Sequence, residues 1–294
     1  MATLGQWVHG ARPRTLPAAI APVALGSGIA AFEGSLLWLR ALLALLVALL
    51  LQIGVNYAND YSDGVRGTDE ERVGPVRLVG QKLATPGAVR LAAVLSLLLA
   101  AVFGLLLVAL SGAWWLLLVG AAAVAAAWLY TGGPRPYGYA GLGEVFVFVF
   151  FGLVAVVGTS YTQTGAITWV SVVAGAVAGA WACAILMVNN IRDAPGDALV
   201  GKHTLAVRLG DTASRWLFVV TIWFPFALII ALAFATLWAL AGLAAIPVAI
   251  GPSILVLNRA QGPALIPGIM ATSMLLLLGC VATGAGFLIA ALAN

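Results

Sequence analysis

Residues 40–64 read Arg40-Ala-Leu-Leu-Ala-Leu-Leu-Val-Ala-Leu-Leu-Leu-Gln52-Ile-Gly-Val-Asn56-Tyr-Ala-Asn59-Asp60-Tyr-Ser-Asp63-Gly64. An apolar run of membrane-crossing length passes without a break into a polar one. A single helix is therefore predicted to leave hydrocarbon carrying carboxylates and carboxamides at its end. Positions 56, 59, 60 and 63 are spaced three, one and three apart, which sets Asn56, Asn59, Asp60 and Asp63 on one stripe, with Gln52 a turn deeper. Gly64 is the expected terminator. This end of a helix is unfavourable for acids, because the macrodipole is negative there and like charges one turn apart repel. A cation relieves both effects, and oxygen-only donors without His or Cys select a hard one such as Mg²⁺.

The rest of the chain agrees with a membrane setting. Of 294 residues 63% are apolar and 8% charged, against about 25% charged in a soluble globule. A soluble enzyme, a disordered chain and a coiled coil are excluded. Cys183 and Cys280 lie inside apolar runs, and His9 and His203 stand apart, so neither a disulfide framework nor a zinc site is expected. About 20 apolar residues cross the bilayer core. Nine runs qualify, at roughly 16–33, 40–58, 91–111, 113–131, 142–160, 168–188, 216–235, 237–257 and 267–291. They are too long and continuous for the alternating strands of a membrane barrel. The predicted fold is an all-α polytopic membrane protein of nine transmembrane helices, forming one integral membrane domain over 1–294. The first run is broken by Pro17 and Pro22 and has no small-residue cleavage site behind it, so it reads as a retained helix. With the N-terminus inside, 13 of the 14 basic residues fall on inner segments and Arg40 alone lies outside. The N-terminus and the charged loops are thus expected in the cytoplasm of a bacterial cell, with the C-terminus outside.

Seventeen of the 24 charged residues fall in two segments, 56–90 and 189–215, with net charges of zero and +1. Neither is a basic patch, so nucleic acid is not an expected partner. The second segment contains Asn189-Asn190-Ile-Arg192-Asp193-Ala-Pro195-Gly196-Asp197. Asn189 stands four residues before Asp193, as Asn59 does before Asp63 in the equivalent place 130 residues earlier, which hints at a four-helix duplication plus a ninth helix. Pro195 is predicted to end its helix near Asp193 and leave Asp197 on a loop. Both clusters are expected on one membrane face, opposed across a cavity. Arg66, Arg72, Arg77, Lys82, Arg192, Lys202 and Arg208 are interleaved with them as candidate phosphate clamps, or else simply mark the inner face. Mg²⁺ commonly binds through one or two carboxylates plus substrate phosphates, so the pattern points to a long-chain isoprenyl diphosphate taken from the lipid. Asp69, Glu70, Glu71 and Asp211 read as solvated loop acids. Gly175 and Gly179 read as a helix-packing pair, and Phe146, Phe148, Phe150 and Phe151 as packing or groove-lining rings.

At these residues the sequence resembles the UbiA-type intramembrane aromatic prenyltransferases. Their first signature, Asn-Asp-x-x-Asp with a third Asp, is matched by Asn59, Asp60, Asp63 and Asp69. Their second, Asp-x-x-x-Asp, is matched by Asp193 and Asp197. In most of that superfamily the third Asp stands four residues after the second, where this chain has Gly67. The displacement to Asp69 is similar to the branch acting on 1,4-dihydroxy-2-naphthoate in menaquinone biosynthesis. So are the runs Arg72–Arg77, Tyr130–Pro136, Gly138–Glu144 and Gly201–Gly210, the last containing Arg208. The resemblance implies a nine-helix bundle around a central cavity open sideways to lipid. It also implies Mg²⁺-dependent transfer of a polyprenyl group from its diphosphate onto 1,4-dihydroxy-2-naphthoate, with loss of CO₂, giving demethylmenaquinone. Carried over residue by residue, Asn59, Asp60, Asp63, Asp193 and Asp197 hold the Mg²⁺–diphosphate; helical spacing adds Asn56 and Asn189. Arg66, Lys82 and Lys202 are the candidates for the diphosphate oxygens, with Arg135 and Tyr130 completing the pocket. Arg12 and Arg14 are the candidates for the acceptor carboxylate.

Two other functions fit less well. A superfamily member with a different acceptor (4-hydroxybenzoate, homogentisate or a phosphoribosyl group) conflicts with the spacing to Asp69 and the Arg72–Arg77 run. A secondary transporter normally binds near the bilayer midplane at broken helices, whereas these acids gather at one membrane face.

Overall fold

The computed structural model describes residues 2–67 and 76–293. Asp69 and Arg72, with Glu70 and Glu71, lie outside the described residues. The described chain is helical, and each of the nine apolar runs is a helix or a pair of helical pieces. A short α1 (Leu4–Gly10) precedes α2 (Pro17–Phe32), α3 (Trp38–Arg66), α4 (Pro86–Ser111) and α5 (Leu116–Leu129). Then follow α6 (Gly143–Thr164), α7 (Trp169–Leu199), a one-turn α8 (Leu205–Leu209), α9 (Asp211–Leu232), α10 (Leu237–Leu257) and α11 (Ile266–Ala293). Seven of these helices are long and apolar enough to cross a membrane, or eight if the bent pair Leu4–Thr15 and Pro17–Phe32 counts as one span. Helix α5, with 14 residues, falls short of that length. The structure thus supports a polytopic all-helical protein and leaves the count of nine spans open.

Two helix ends differ from the sequence-based expectation. Helix α3 runs through Gly64 and stops at Gly67, whose φ of 73° makes it the left-handed cap. Gly64 instead admits the backbone of the following loop, since a Cβ there would collide with Val79. Helix α7 runs through Pro195 to Leu199 and so carries Asp197 on its last turns. Proline removes one backbone donor and tends to bend a helix, and here the helix continues past it.

Helix α7 is the central element. Trp181, at its middle, is fully buried and donates its indole N–H to Ile222 O (3.0 Å), locking α7 to α9. Phe218, Ile222 and Ile229 of α9, Leu275 and Leu276 of α11, and Phe287 complete that core. Elsewhere the helices meet backbone to backbone. A Cβ on Gly28 of α2 would strike the carbonyl of Gly284 on α11, and Gly152 of α6 sits against Gly175 and Gly179, the pair read as a packing contact. Over Phe148–Val154 α6 widens into a π-helical turn. Trp38, Trp114, Trp115, Trp169 and Trp238 stand exposed at helix ends that antiparallel packing gathers at one side, as an interfacial aromatic belt requires. Arg40, the one basic residue of that side among the described residues, donates to Thr162 O (2.8 Å) and to Leu110 O.

The backbone contact between α2 and α11 makes a prediction. Gly28→Ala overpacks it and is expected to cost about 1–3 kcal/mol. Gly251→Ala, where a Cβ meets nothing within 4 Å, is expected to leave the melting temperature in detergent unchanged or slightly raised.

Candidate active site

A cavity of about 1350 Å³ opens where the two acid-bearing helix ends meet. Its inner mouth is polar, lined by Arg12, Arg14, Asn56, Asn59, Asp63, Arg77, Tyr130, Asn189, Asn190, Asp193 and Lys202. Its bore is apolar, running between α3, α4, α5 and α6 past Leu51, Val55, Val119, Val124, Phe150 and Val154. The two clusters expected to face each other therefore share one wall-to-wall space.

The stripe at the end of α3 is buried throughout, but its members face different ways. Asn59 lines the cavity, and its Oδ1 accepts from Thr131 Oγ1 (2.8 Å). Asp63 also lines it, accepting from Tyr139 Oη (2.9 Å) and lying 3.9 Å from the Arg77 guanidinium. Asp60 turns away from the cavity, accepting the backbone N–H groups of Leu78 (2.7 Å) and Val79 (3.2 Å). Asn56 uses its Nδ2 on Ala11 O and Thr15 Oγ1 (2.9 Å each), while Gln52 Nε2 reaches the same hydroxyl (2.9 Å). Thr15 in turn donates to Arg12 O (2.9 Å), and Arg12 takes a left-handed φ of 54°. A bulky residue enters that region only under constraint. The Gln52–Asn56–Thr15 network is the constraint that holds the Arg12–Thr15 strap across the mouth.

At the end of α7, Asp193 is forked by its neighbour Arg192 (2.7 and 2.8 Å). Asp197 is buried off the cavity, with Lys202 Nζ 3.4 Å from its Oδ1. Tyr139 ties the two halves together. Its hydroxyl goes to Asp63, while Lys202 (5.3 Å) and Arg66 (5.5 Å) both sit against its ring. Arg66 donates to the carbonyls of Thr131 and Gly133, bracing the loop between α5 and α6 outside the cavity. Lys82 and Arg135 are exposed on loops away from it, and Arg208 donates to His203 O (3.1 Å). Tyr139, Thr15 and Asn190 were not singled out by sequence reasoning. A lone aromatic or hydroxyl outside an acidic motif carries no spacing signal of its own, whereas Asn190, three residues before Asp193, had one in its helical spacing.

Oxygen-bearing side chains that line the cavity at the two helix ends include Asn56, Asn59, Asp63, Asn189, Asn190 and Asp193. Among the described residues no three Asp, Glu, His or Cys side chains form a closed metal cage. The chemistry therefore suits a hard cation that completes its shell with waters and the oxygens of a bound anion.

Residues 19–267 match the UbiA prenyltransferase family. The chain is 52% identical, over 96% of both chains, to the 1,4-dihydroxy-2-naphthoate octaprenyltransferase of Mycobacterium tuberculosis. It is 37% identical to the Escherichia coli protein of the same description, over 71% of this chain and 70% of that one. The fold superposes on a UbiA homolog from Aeropyrum pernix with a TM-score of 0.69 at 15% identity, covering 92% of this chain and 97% of that one. A UbiA homolog from Archaeoglobus fulgidus bound to GPP and Mg²⁺ gives 0.65 at 14% identity, covering 95% and 99%. With the family matched over most of its length and the fold shared, this integral membrane chain belongs to the UbiA prenyltransferase family.

Proposed function

We propose that this protein transfers a polyprenyl group from polyprenyl diphosphate to 1,4-dihydroxy-2-naphthoate, with Mg²⁺, releasing CO₂ and diphosphate and giving the quinol form of demethylmenaquinone. The observation that carries the reading is a single cavity joining an ion-rich inner mouth to an apolar bore. A molecule with a diphosphate head and an isoprenoid tail has that polarity. The near full-length similarity to naphthoate octaprenyltransferases supplies the acceptor.

In this reading the whole chain is one domain of the cytoplasmic membrane. The bent first pair and the short α5 complete nine passes, with the N-terminus and mouth on the cytoplasmic side. Asn59, Asp63, Asn189 and Asp193 hold Mg²⁺ at the mouth, and Arg77 and Lys202 turn toward the diphosphate oxygens. When bound, the ion neutralises charge gathering on the departing diphosphate. The prenyl C–O bond breaks with its electron pair leaving on the diphosphate. The rings of Tyr137, Phe146 and Phe150, of which Tyr137 and Phe146 stack at 3.9 Å, face the allylic carbon and shelter its positive charge. The apolar bore excludes water from it. Arg12 and Arg14 orient the acceptor carboxylate. The ring carbon bearing that carboxylate supplies the electrons of the new C–C bond, and the bond to CO₂ returns a pair to the ring.

Asp63→Asn and Asp193→Asn are each expected to lower kcat/KM by about 10²–10³-fold in a membrane assay with both substrates, and chelation of divalent cations to abolish turnover. Full activity in either variant, or faster turnover with 4-hydroxybenzoate than with the naphthoate, overturns the reading. Arg12→Ala is expected to raise KM for the naphthoate about tenfold or more, the loss of one charge-assisted hydrogen bond, with KM for the prenyl diphosphate unchanged. Thr15→Val, which frees the strap, is expected to move the same constant in the same direction, and Thr15→Ser to restore it.

A further inference from the structure

Glu144 is a carboxyl group that neither acidic motif explains. It stands in the first turn of α6, 8% exposed, in the run leading to Val145-Phe-Val-Phe. Ionisable groups at membrane depth are costly and point to function. Its Oε1 accepts from Asn190 Nδ2 at 2.9 Å, and its Oε2 is buried without a hydrogen-bond partner. Glu144 does not line the main cavity; it lies behind Asn190, beside Cys183 and Met187 in a separate apolar fissure.

The asymmetry of that hydrogen bond has a consequence for Asn190. An ionised carboxylate only accepts, whereas a carboxamide both donates and accepts. Facing Glu144, the Asn190 side chain presents its NH₂ group there, and the carbonyl oxygen on the other branch then turns away from Glu144. Asn190 lines the cavity and lies three residues before Asp193, on the same face of α7. Its neighbour Asn189 is tied differently, donating Nδ2 back to Ile185 O (3.0 Å).

We infer that Glu144 is a positioning residue that fixes the Asn190 amide with its carbonyl oxygen toward the cation–diphosphate site. The inference rests on the proposed function. A neutral oxygen beside Asp193 adds a donor for a hard cation without adding negative charge against the diphosphate. Glu144 keeps its own carboxyl group one side chain removed from that anion.

The test is Mn²⁺ binding followed by electron paramagnetic resonance, on the full chain in detergent with farnesyl thiolodiphosphate, an unreactive prenyl diphosphate analogue. E144Q keeps the shape but can donate as well as accept, so it no longer dictates the amide. E144M removes the polar group at similar volume and serves if E144Q does not fold. Each of these, and N190A, is expected to weaken Mn²⁺ binding about tenfold, as loss of an outer-shell partner or ligand does. The double variant is expected to be no weaker than N190A alone, because both changes remove one interaction. Unchanged Mn²⁺ affinity in the folded variants, or losses that multiply in the double variant, overturns the inference. A wild-type protein that binds no Mn²⁺ overturns the functional reading and this inference with it, whereas wild-type binding with unaltered variants overturns this inference alone.

Discussion

The carboxylate of Asp60, receiving the backbone N–H groups of Leu78 and Val79, is the contact on which the inner mouth depends. Acids at the C-terminal end of a helix oppose the macrodipole, and a buried carboxylate needs donors. Two backbone amides supply them here, and in doing so they fold the segment after residue 76 down over the end of α3. Leu78 and Val79 are buried by that fold, and Gly64 gives Val79 the room to approach. Arg77, one residue before the anchored pair, is thereby carried to Asp63 at the cavity edge. An acid that reads in sequence as a cation ligand serves in this structure as the anchor of a loop that brings a guanidinium to the site.

The same separation between what a motif names and what its side chains face runs through the molecule. Apolar runs of about twenty residues were legible because hydrocarbon thickness sets their length, and every one of them is helical. The opposition of Asn59 and Asp63 to Asn189 and Asp193 was legible too, since equal spacing at two helix ends of one face leaves few alternatives. The facing of Asp60 was not. It sits one residue from Asn59, about 100° round the helix, and the loop that claims it lies 18 residues onward. Pro195 was misleading for a related reason: local propensity says stop, while packing around α7 carries the helix to Leu199. The basic residues were the least legible. Positive-inside topology places Arg66, Lys82, Arg135, Lys202 and Arg208 on one face alike, and only three-dimensional contacts divide loop braces such as Arg66 from cavity-lining groups such as Lys202.

Ion pairing at the mouth follows from that division. Arg192 is paired with Asp193, Arg77 with Asp63 and Lys202 with Asp197. A buried ion without a partner carries a desolvation penalty of several kcal/mol, and each of these pairs lowers that cost. A cation and a diphosphate together bring both signs. In the proposed complex the carboxylates would turn to the cation and the guanidinium to the phosphate, which would cost less reorganisation than charging an uncompensated pocket. The near-zero net charge of the two loop segments, which argued against a nucleic-acid surface, fits this pairing of acids with bases.

The bore imposes the complementary requirement, a wall without hydrogen-bonding groups that still reaches the ions. Helix α6 meets it through two opposite faces. Gly152 presses backbone to backbone on Gly175 and Gly179 of α7, anchoring the helix to the most buried element. The π-helical turn over Phe148–Val154 shifts the register locally, as such turns do where function needs a side chain re-aimed. Phe146, Phe150 and Phe151 then line the cavity while Phe148 faces the separate fissure beside Glu144. One helix thus presents its rings to the bore on one face. On the other it carries, at its start, the carboxyl group that orients an amide of α7. The close glycine contact fixes both to the same rigid frame, and the edge contact of Tyr130 with Tyr137 at 5.4 Å joins the polar mouth to the aromatic wall.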